Sequence, residues 1–147
     1  MARKVFFSFQ YEDVHRAMNV RNSNVIAADT KVGFIDKADF EAVERKGDAA
    51  IKKWIDDQLH GTSVTVVLVG ATTDKSKWVK YEIEQSLVRG NGILTIDISK
   101  IADLNGKTTG CCALRVPGAP HYLWNNNNGR ENLGKWVEAA AKAAGKP

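Results

Sequence analysis

No stretch of the 147-residue sequence approaches the length of a membrane-spanning segment. A helix needs roughly 20 consecutive apolar residues to cross a bilayer. The N-terminal sequence MARKVFFSF begins with basic residues, but its apolar run is short and no secretory cleavage pattern follows. We therefore expect a cytoplasmic protein with no membrane partner.

Cysteine is scarce, and the two that are present, Cys111 and Cys112, are adjacent in sequence. A disulfide between sequence neighbours is strained, and two thiols without further cysteine or nearby histidine do not make a zinc site. We expect two free thiols in a reducing compartment and no bound metal.

Neither sign of charge forms a block. Lysine and arginine are scattered among nearly as many acids, and the net charge is only +4. This distribution argues against nucleic acid as a partner, but a small phosphate-bearing ligand needs only a local basic patch. The sequence is 44% apolar and 26% charged, as in an ordinary soluble globular protein. Its length suits one domain, which we expect to cover residues 1–147.

Three short apolar runs rich in strand-forming residues alternate with helical patterns. They are Lys4–Phe9 (KVFFSF), Ser63–Gly70 (SVTVVLVG) and Gly92–Ser99 (GILTIDIS). The second run is apolar on both faces, which is typical of a strand in the middle of a sheet covered by helices. The alternation with short connections is the βαβ signature. We predict a three-layer α/β domain of the flavodoxin-like type, with a central, mainly parallel sheet flanked by helices.

Helix boundaries follow from capping and stop signals. One helix is predicted from Asp48, as N-cap, to a stop at Gly61, and another from a cap at Asn128 to Gly145. A third lies within Thr72–Gly90.

The segments outside these helices are less regular. Residues 22–24 (NSN) form a predicted turn, and residues 25–36 contain a possible second extended piece. Residues 101–128 are rich in glycine, proline and asparagine and predict a long loop, with one short strand around Ala113–Val116.

The two glutamates of the helix SKWVKYEIEQSL are not equivalent. The residues predicted to pack on the sheet recur every four positions and are Val79, Ile83 and Leu87. Glu84 lies about 200° around the helix from Glu82 and has lysine neighbours, so we expect it to be solvated. Glu82 follows Trp78 by four residues, between core and solvent, near the carboxyl end of the preceding strand. Partial desolvation there tunes a carboxylate for binding or catalysis, although a solvated helix face also explains the pattern.

Four segments in this order and spacing resemble a known family: VFFSFQY, VRNSN, VTVVLVG and SKWVKYEIEQSL. They are similar to the TIR-like domains that form the TIR subunit of bacterial Thoeris antiphage defence systems. The resemblance runs from about Arg3 to Ser99. It implies a flavodoxin-like TIR fold and an enzyme that cleaves NAD between nicotinamide and ribose. The product would be a cyclic ADP-ribose isomer or related conjugate that activates a separate effector protein. NAD is then a substrate, and no cofactor is implied. The family's tryptophan-to-glutamate pattern maps the catalytic residue onto Glu82.

Six further residues are candidates for substrate binding. They are Ser8, Phe9, Tyr11, Arg21, Gly70 and Trp78. Phe9 and Tyr11 could stack on nicotinamide or adenine, Arg21 could bind the pyrophosphate bidentately, and Trp78 could wall the ribose pocket. Gly70 leaves the backbone uncrowded at a strand end. The structural alternatives are core packing for Phe9 and Trp78, a surface salt bridge for Arg21, and turn chemistry for Gly70.

Other function classes fit the sequence less well. A non-catalytic TIR-like adaptor or nucleotide sensor that acts by self-association has the same motifs, and a homo-oligomer is possible in either case. A receiver-like module is disfavoured because KVFFSF has no acid and VTVVLVG ends in glycine. A dehydrogenase is disfavoured because no G-x-G-x-x-G follows the first strand.

Overall fold

The computed structural model describes residues 4–21, 30–32 and 37–146. The strands are β1 (Val5–Ser8), β2 (Thr30–Val32), β3 (Val64–Val69), β4 (Gly92–Asp97) and β5 (His121–Leu123). The helices are α1 (Val14–Arg21), α2 (Lys37–Glu44), α3 (Asp48–Leu59), α4 (Lys77–Val88) and α5 (Gly129–Ala143). Two 3-10 turns cover Tyr11–Asp13 and Thr73–Lys75. The predicted turn at residues 22–24 lies outside the described residues, and of the predicted extended piece only β2 lies within them.

The described strands form one sheet in the order β2-β1-β3-β4-β5, and every neighbouring pair is parallel. This order is that of the flavodoxin-like doubly wound fold, so the predicted fold class is confirmed. All six side chains of β3 are buried, because the strand lies in the middle of the sheet with helices on both faces.

The two faces of the sheet are covered by different helices. Successive side chains of a strand point to opposite faces. Val5 and Phe7 belong to the core cluster that contains residues of α1 and α5, whereas Phe6 packs with α3 and with side chains of α4. Because Ser8 shares the parity of Phe6, it faces the α3 and α4 layer.

Helix α4 is rotated relative to the predicted core stripe. Val79 is buried and Ile83 is partly buried, but Leu87 is 55% exposed, so the prediction for Leu87 was wrong. The buried residues of α4 are Val79, Glu82 and Ser86. At about 100° per residue, the position eight residues after Val79 lies about 80° from Val79 around the helix axis. The position seven residues after Val79 lies only about 20° from it. Ser86 therefore takes the sheet-facing place that the four-residue spacing assigned to Leu87.

The predicted helix ends are largely confirmed. Gly47, with φ of 98°, occupies the N-cap of α3, so Asp48 is the first helical residue and the predicted cap was one residue late. Asn128 occupies the N-cap of α5 in a left-handed conformation, without a capping hydrogen bond from its side chain. Gly61 and Gly145 follow α3 and α5 with positive φ, as helix stops do.

The long loop carries its strand later than predicted. Residues 113–116 are not a strand; β5 forms at His121–Leu123 instead, where it pairs with Thr95–Asp97. The loop packs on the sheet face beside α4, where Val116 contacts the apolar side chains of β3. A turn at Pro117 and Gly118 then brings the chain to the free edge of β4, which is where the unpaired backbone groups are. Within the described ranges, none of the helices has the length and apolar content that a membrane crossing requires.

Candidate active site

The strand order reverses between β1 and β3, so the carboxyl ends of these two strands border the switch-point crevice of a doubly wound sheet. Ligands of doubly wound sheets bind at such a switch point. The hydroxyl of Thr72, after β3, donates a hydrogen bond of 2.6 Å to Oε1 of Gln10, after β1, and the Glu12 carboxylate lies 3.3 Å away. The backbone N–H of Gly70 donates to Thr73 Oγ1 at 2.8 Å. The two chain segments are thus held together by polar side chains.

Glu82 is a buried acid on the second turn of α4. Only 5% of it is exposed, and the Ser8 hydroxyl at the end of β1 donates to its Oε1 at 2.7 Å. Ser76 caps the helix by accepting a hydrogen bond from the Val79 N–H, which fixes the start of the turn. Burial raises the pKa of Glu82 to about 8, and the hydrogen bond from Ser8 lowers the pKa against that trend. The carboxyl group therefore changes charge slightly above neutral pH.

A chain of buried hydroxyl groups holds the same turn of α4 on the sheet. Ser86 Oγ donates to the backbone carbonyl of Glu82 at 2.7 Å and lies 2.7 Å from Thr65 Oγ1 on β3. The side chain of Asn91 donates to the Thr62 and Thr65 hydroxyl groups at 3.0 and 3.4 Å. These hydrogen bonds hold the backbone of α4 against β3, and none of them involves the Glu82 carboxyl group.

Trp78 and Glu84 are both less buried than Glu82. Glu84 is exposed, as predicted. Trp78 is partly buried against the Phe6 cluster between α3 and α4, packs edge-on to Tyr81 at 6.2 Å, and has the Lys77 ammonium group 4.7 Å from its ring centre. Its ring therefore packs between α3 and α4, one turn before Glu82.

The structure brings only some of the predicted site residues together. Ser8 contacts Glu82 directly, and Tyr11 is 38% exposed in the turn that borders the crevice. Phe9 is buried in the cluster under α1 and α5, and Arg21 is the last residue of α1, so both lie on the sheet face opposite Glu82. The cause is the two-residue period of the strand, which sends Phe9 away from the side chain that precedes it.

The comparison with known families agrees with this arrangement. A sequence model described as "Thoeris protein ThsB, TIR-like domain" matches residues 6–103. The chain belongs to this family. The match runs from β1 to the segment after β4, so it contains the crevice and Glu82. The resemblance inferred from the sequence motifs is thereby confirmed.

One relative of this TIR-like domain is a Bacillus cereus (strain MSX-D12) protein named "Putative cyclic ADP-D-ribose synthase ThsB1". The two are 40% identical over 109 residues, which cover 72% of this chain and 57% of the relative. The aligned part thus spans somewhat more than half of the relative's length.

Sequence reasoning missed a buried ion pair beside the crevice of this TIR-like domain. Asp13 and Arg16 are 5% and 6% exposed, and Arg16 Nη1 lies 3.2 Å from Asp13 Oδ1. Arg16 also donates to the carbonyl oxygens of Ile101 at 2.8 Å and Lys107 at 3.1 Å. Burial raises the pKa of Asp13, and the adjacent guanidinium lowers the pKa against that effect. The available signal was an acid and an arginine three residues apart, within the first ten residues after the first strand.

Gly70 is required where β3 passes this ion pair. A methyl group on Gly70 would overlap the carboxylate of Asp13, which cannot retreat freely because Arg16 holds it. We predict that Gly70→Ala lowers the free energy of unfolding by about 1–3 kcal/mol, the usual cost of overpacking. Urea denaturation measures this cost. Gly110→Ala is the control, since a Cβ at Gly110 has no atom within 4 Å. Equal stability of the two variants would contradict the prediction.

The two cysteines of the TIR-like domain are free thiols. The backbone N–H of Cys112 donates to the Gly70 carbonyl at 3.0 Å, so the pair lies against the end of β3. Burial, with a further contribution from Asp97, raises the pKa of the Cys111 thiol to about 11, which leaves it protonated and weakly nucleophilic. In the part of the chain that the structure describes, no three histidine, cysteine or acidic residues are grouped to hold a metal ion.

Proposed function

We propose that this TIR-like domain cleaves NAD at the bond between nicotinamide and ribose and converts the remainder into a cyclic ADP-ribose isomer or a related ADP-ribose conjugate. Membership of the ThsB family and the name of the Bacillus cereus relative support the proposal. The observation that carries it is the buried carboxyl group of Glu82, held by Ser8 at the carboxyl end of β1.

The chemistry requires one well-placed carboxylate. When the C–N bond breaks, nicotinamide leaves as a neutral molecule with the bonding electron pair, and positive charge develops on the ribose carbon and ring oxygen. An ionised Glu82 accepts a hydrogen bond from a ribose hydroxyl and stabilises that charge, most strongly where water is excluded. Since nicotinamide is already cationic in NAD, the step needs no general acid. Attack by an adenine nitrogen then gives a cyclic product and one proton, and attack by water gives ADP-ribose and one proton.

The proposal predicts a pH dependence. Glu82 must lose its proton before it can stabilise a cation, and its pKa in the free protein is about 8. We expect kcat/KM for NAD to rise about tenfold per pH unit below pH 8 and to level off above it. In the complex, the cationic nicotinamide ring favours the carboxylate, so the profile of kcat should have its midpoint at lower pH. Steady-state rates between pH 5.5 and 9.5 measure both profiles; a flat kcat/KM profile would contradict the assignment.

Nicotinamide release by the purified protein tests the reaction, and mass spectrometry identifies the nucleotide product. Glu82→Gln should reduce the rate at least about a hundredfold, because it removes the negative charge and retains the shape. Glu84→Gln is the matched control, since Glu84 is an exposed glutamate on the same helix, and its rate should equal that of the parent. Unchanged release by Glu82→Gln would overturn the assignment of the catalytic residue.

A nucleotide product implies a separate effector protein that binds it.

The second candidate function is a non-catalytic adaptor or nucleotide sensor that self-associates. It is favoured by Leu87 and Val88 at the end of α4, which are 55% and 78% exposed and offer apolar surface to a second copy. Light scattering with and without NAD measures self-association. An NAD-dependent oligomer that releases no nicotinamide would favour the adaptor.

A further inference from the structure

The Ser8 hydroxyl group is directed at Glu82. Ser8 is fully buried at the last position of β1, and its Oγ lies 2.7 Å from Glu82 Oε1. A serine hydroxyl has one proton to donate. While that proton is held by the carboxylate, Ser8 cannot also donate it to a ribose hydroxyl or to a phosphate oxygen of a substrate.

We propose that Ser8 is a positioning residue for Glu82 and not a substrate contact. The Ser8 hydroxyl holds the Glu82 carboxyl group at the carboxyl end of β1 and favours the ionised form of that group. The proposal rests on the proposed NAD cleavage and deepens it, because it states what makes Glu82 available as a carboxylate. Hydrogen bonds to a charged acceptor are stronger than those to a neutral one, so the Ser8 contact favours deprotonation.

Among the described residues, no charged group takes over this role. Strands β1 and β3, which lie under α4, have no ionisable side chain. The ionisable residues of the other described segments packed against α4, and of α4 itself, are Asp48, Lys52, Lys53, Asp56 and Asp57 on α3, Asp74 and Lys75 before α4, Asp97 on β4, Cys111 and Cys112 in the long loop, and Lys77, Lys80, Tyr81 and Glu84 on α4. Within the described residues, the pKa shift of Glu82 has two causes, burial and the hydrogen bond from Ser8. Removing that hydroxyl therefore leaves burial unopposed.

Ser86 offers a matched control on the same helix. Its hydroxyl is as buried as that of Ser8 and also donates to Glu82 at 2.7 Å, but it contacts the backbone carbonyl and not the carboxyl group. Ser86→Ala therefore loses a buried hydroxyl of the same kind without removing a partner of the ionisable group. A purely structural effect on α4 would appear in both alanine variants.

The first experiment needs no enzymatic activity. The free energy of unfolding is measured against pH for the protein with Glu82 and for its Glu82→Gln variant. The difference between these two free energies grows with pH while Glu82 is protonated in the folded state. It reaches a plateau above the pKa of Glu82 in the folded state. With Ser8 present, we expect this plateau to begin near pH 8. In Ser8→Ala the plateau should begin about one pH unit higher. In Ser86→Ala its start should not move. In Ser8→Thr, which keeps the hydroxyl, the plateau should again begin near pH 8. A plateau that Ser8→Ala leaves unchanged would overturn the proposal.

The second experiment measures NAD cleavage in the same variants. Ser8→Ala should shift the kcat/KM profile upward by about one pH unit, which is a roughly tenfold loss at pH 7, while KM at pH 9.5 stays that of the parent. A raised KM with an unmoved profile would make Ser8 a substrate contact and overturn the proposal. If the stability plateau shifts but no variant releases nicotinamide, the proposed function fails, and the effect of Ser8 on the ionisation of Glu82 is still established.

Discussion

Glu82→Gln should stabilise the folded protein while it reduces the proposed NAD cleavage at least about a hundredfold. Glutamate in the unfolded chain has a pKa near 4.5, and burial raises the pKa of Glu82 to about 8. Because the folded-state pKa is the higher one, the stabilising contribution of the protonated carboxyl is complete below pH 4.5 and is lost as pH rises through 8. At pH 7 this loss lowers the free energy of unfolding by about 3 kcal/mol, and glutamine avoids it because it does not ionise. Burying the amide N–H groups costs about 1 kcal/mol, so we expect a net gain of about 2 kcal/mol.

Chemical denaturation at several pH values measures this gain. The difference between Glu82→Gln and the parent should be near zero at pH 5 and grow steadily to pH 8. Glu84→Gln is the control, since the exposed carboxyl group of Glu84 should give a small difference at every pH. A pH-independent difference for Glu82→Gln would show that the carboxyl group is not desolvated in the folded state. A residue that lowers stability where it is ionised is typical of an active site.

Arg16→Met should be among the most destabilising single substitutions in the described part of the chain. It leaves the Asp13 carboxylate buried without its cation and frees the carbonyl oxygens of Ile101 and Lys107. Removing one partner of a buried ion pair costs about 3–5 kcal/mol, because a charge remains in a desolvated position. Losing Arg16 also raises the pKa of Asp13 further, so the penalty should grow with increasing pH.

An exposed ion pair of the same length provides the control. Lys53 and Asp57 also lie 3.2 Å apart, but their side chains are 77% and 64% exposed. Lys53→Met should therefore cost less than about 0.5 kcal/mol. Asp13→Asn combined with Arg16→Met should recover part of the loss, because the stranded charge is gone. If Arg16→Met costs no more than Lys53→Met, the buried pair does not stabilise the fold.

The elements that the sequence predicted correctly are those with a strong local pattern. The β-branched run of β3 indicated a central strand, and the glycines after α3 and α5 marked where those helices stop. The predicted strand at Ala113–Val116 was wrong because strand formation there depends on pairing with β4. The edge of β4 pairs with His121–Leu123 instead, a segment of only three residues with little strand pattern of its own. Leu87 was misplaced because a spacing of four residues drifts around a helix of 3.6 residues per turn.

The sequence alone determined the fold class, the family and the difference between Glu82 and Glu84, because all three depend on hydrophobic periodicity and on motif order along the chain. Only the tertiary structure decided that Ser8 meets Glu82 while Phe9 and Arg21 lie across the sheet. It also decided that Asp13 and Arg16 form a buried pair. The physical reason is that burial and the charge state of a carboxyl group depend on neighbours that are distant in sequence: Ser8 and Glu82 are 74 residues apart, and Arg16 contacts a carbonyl oxygen 91 residues away.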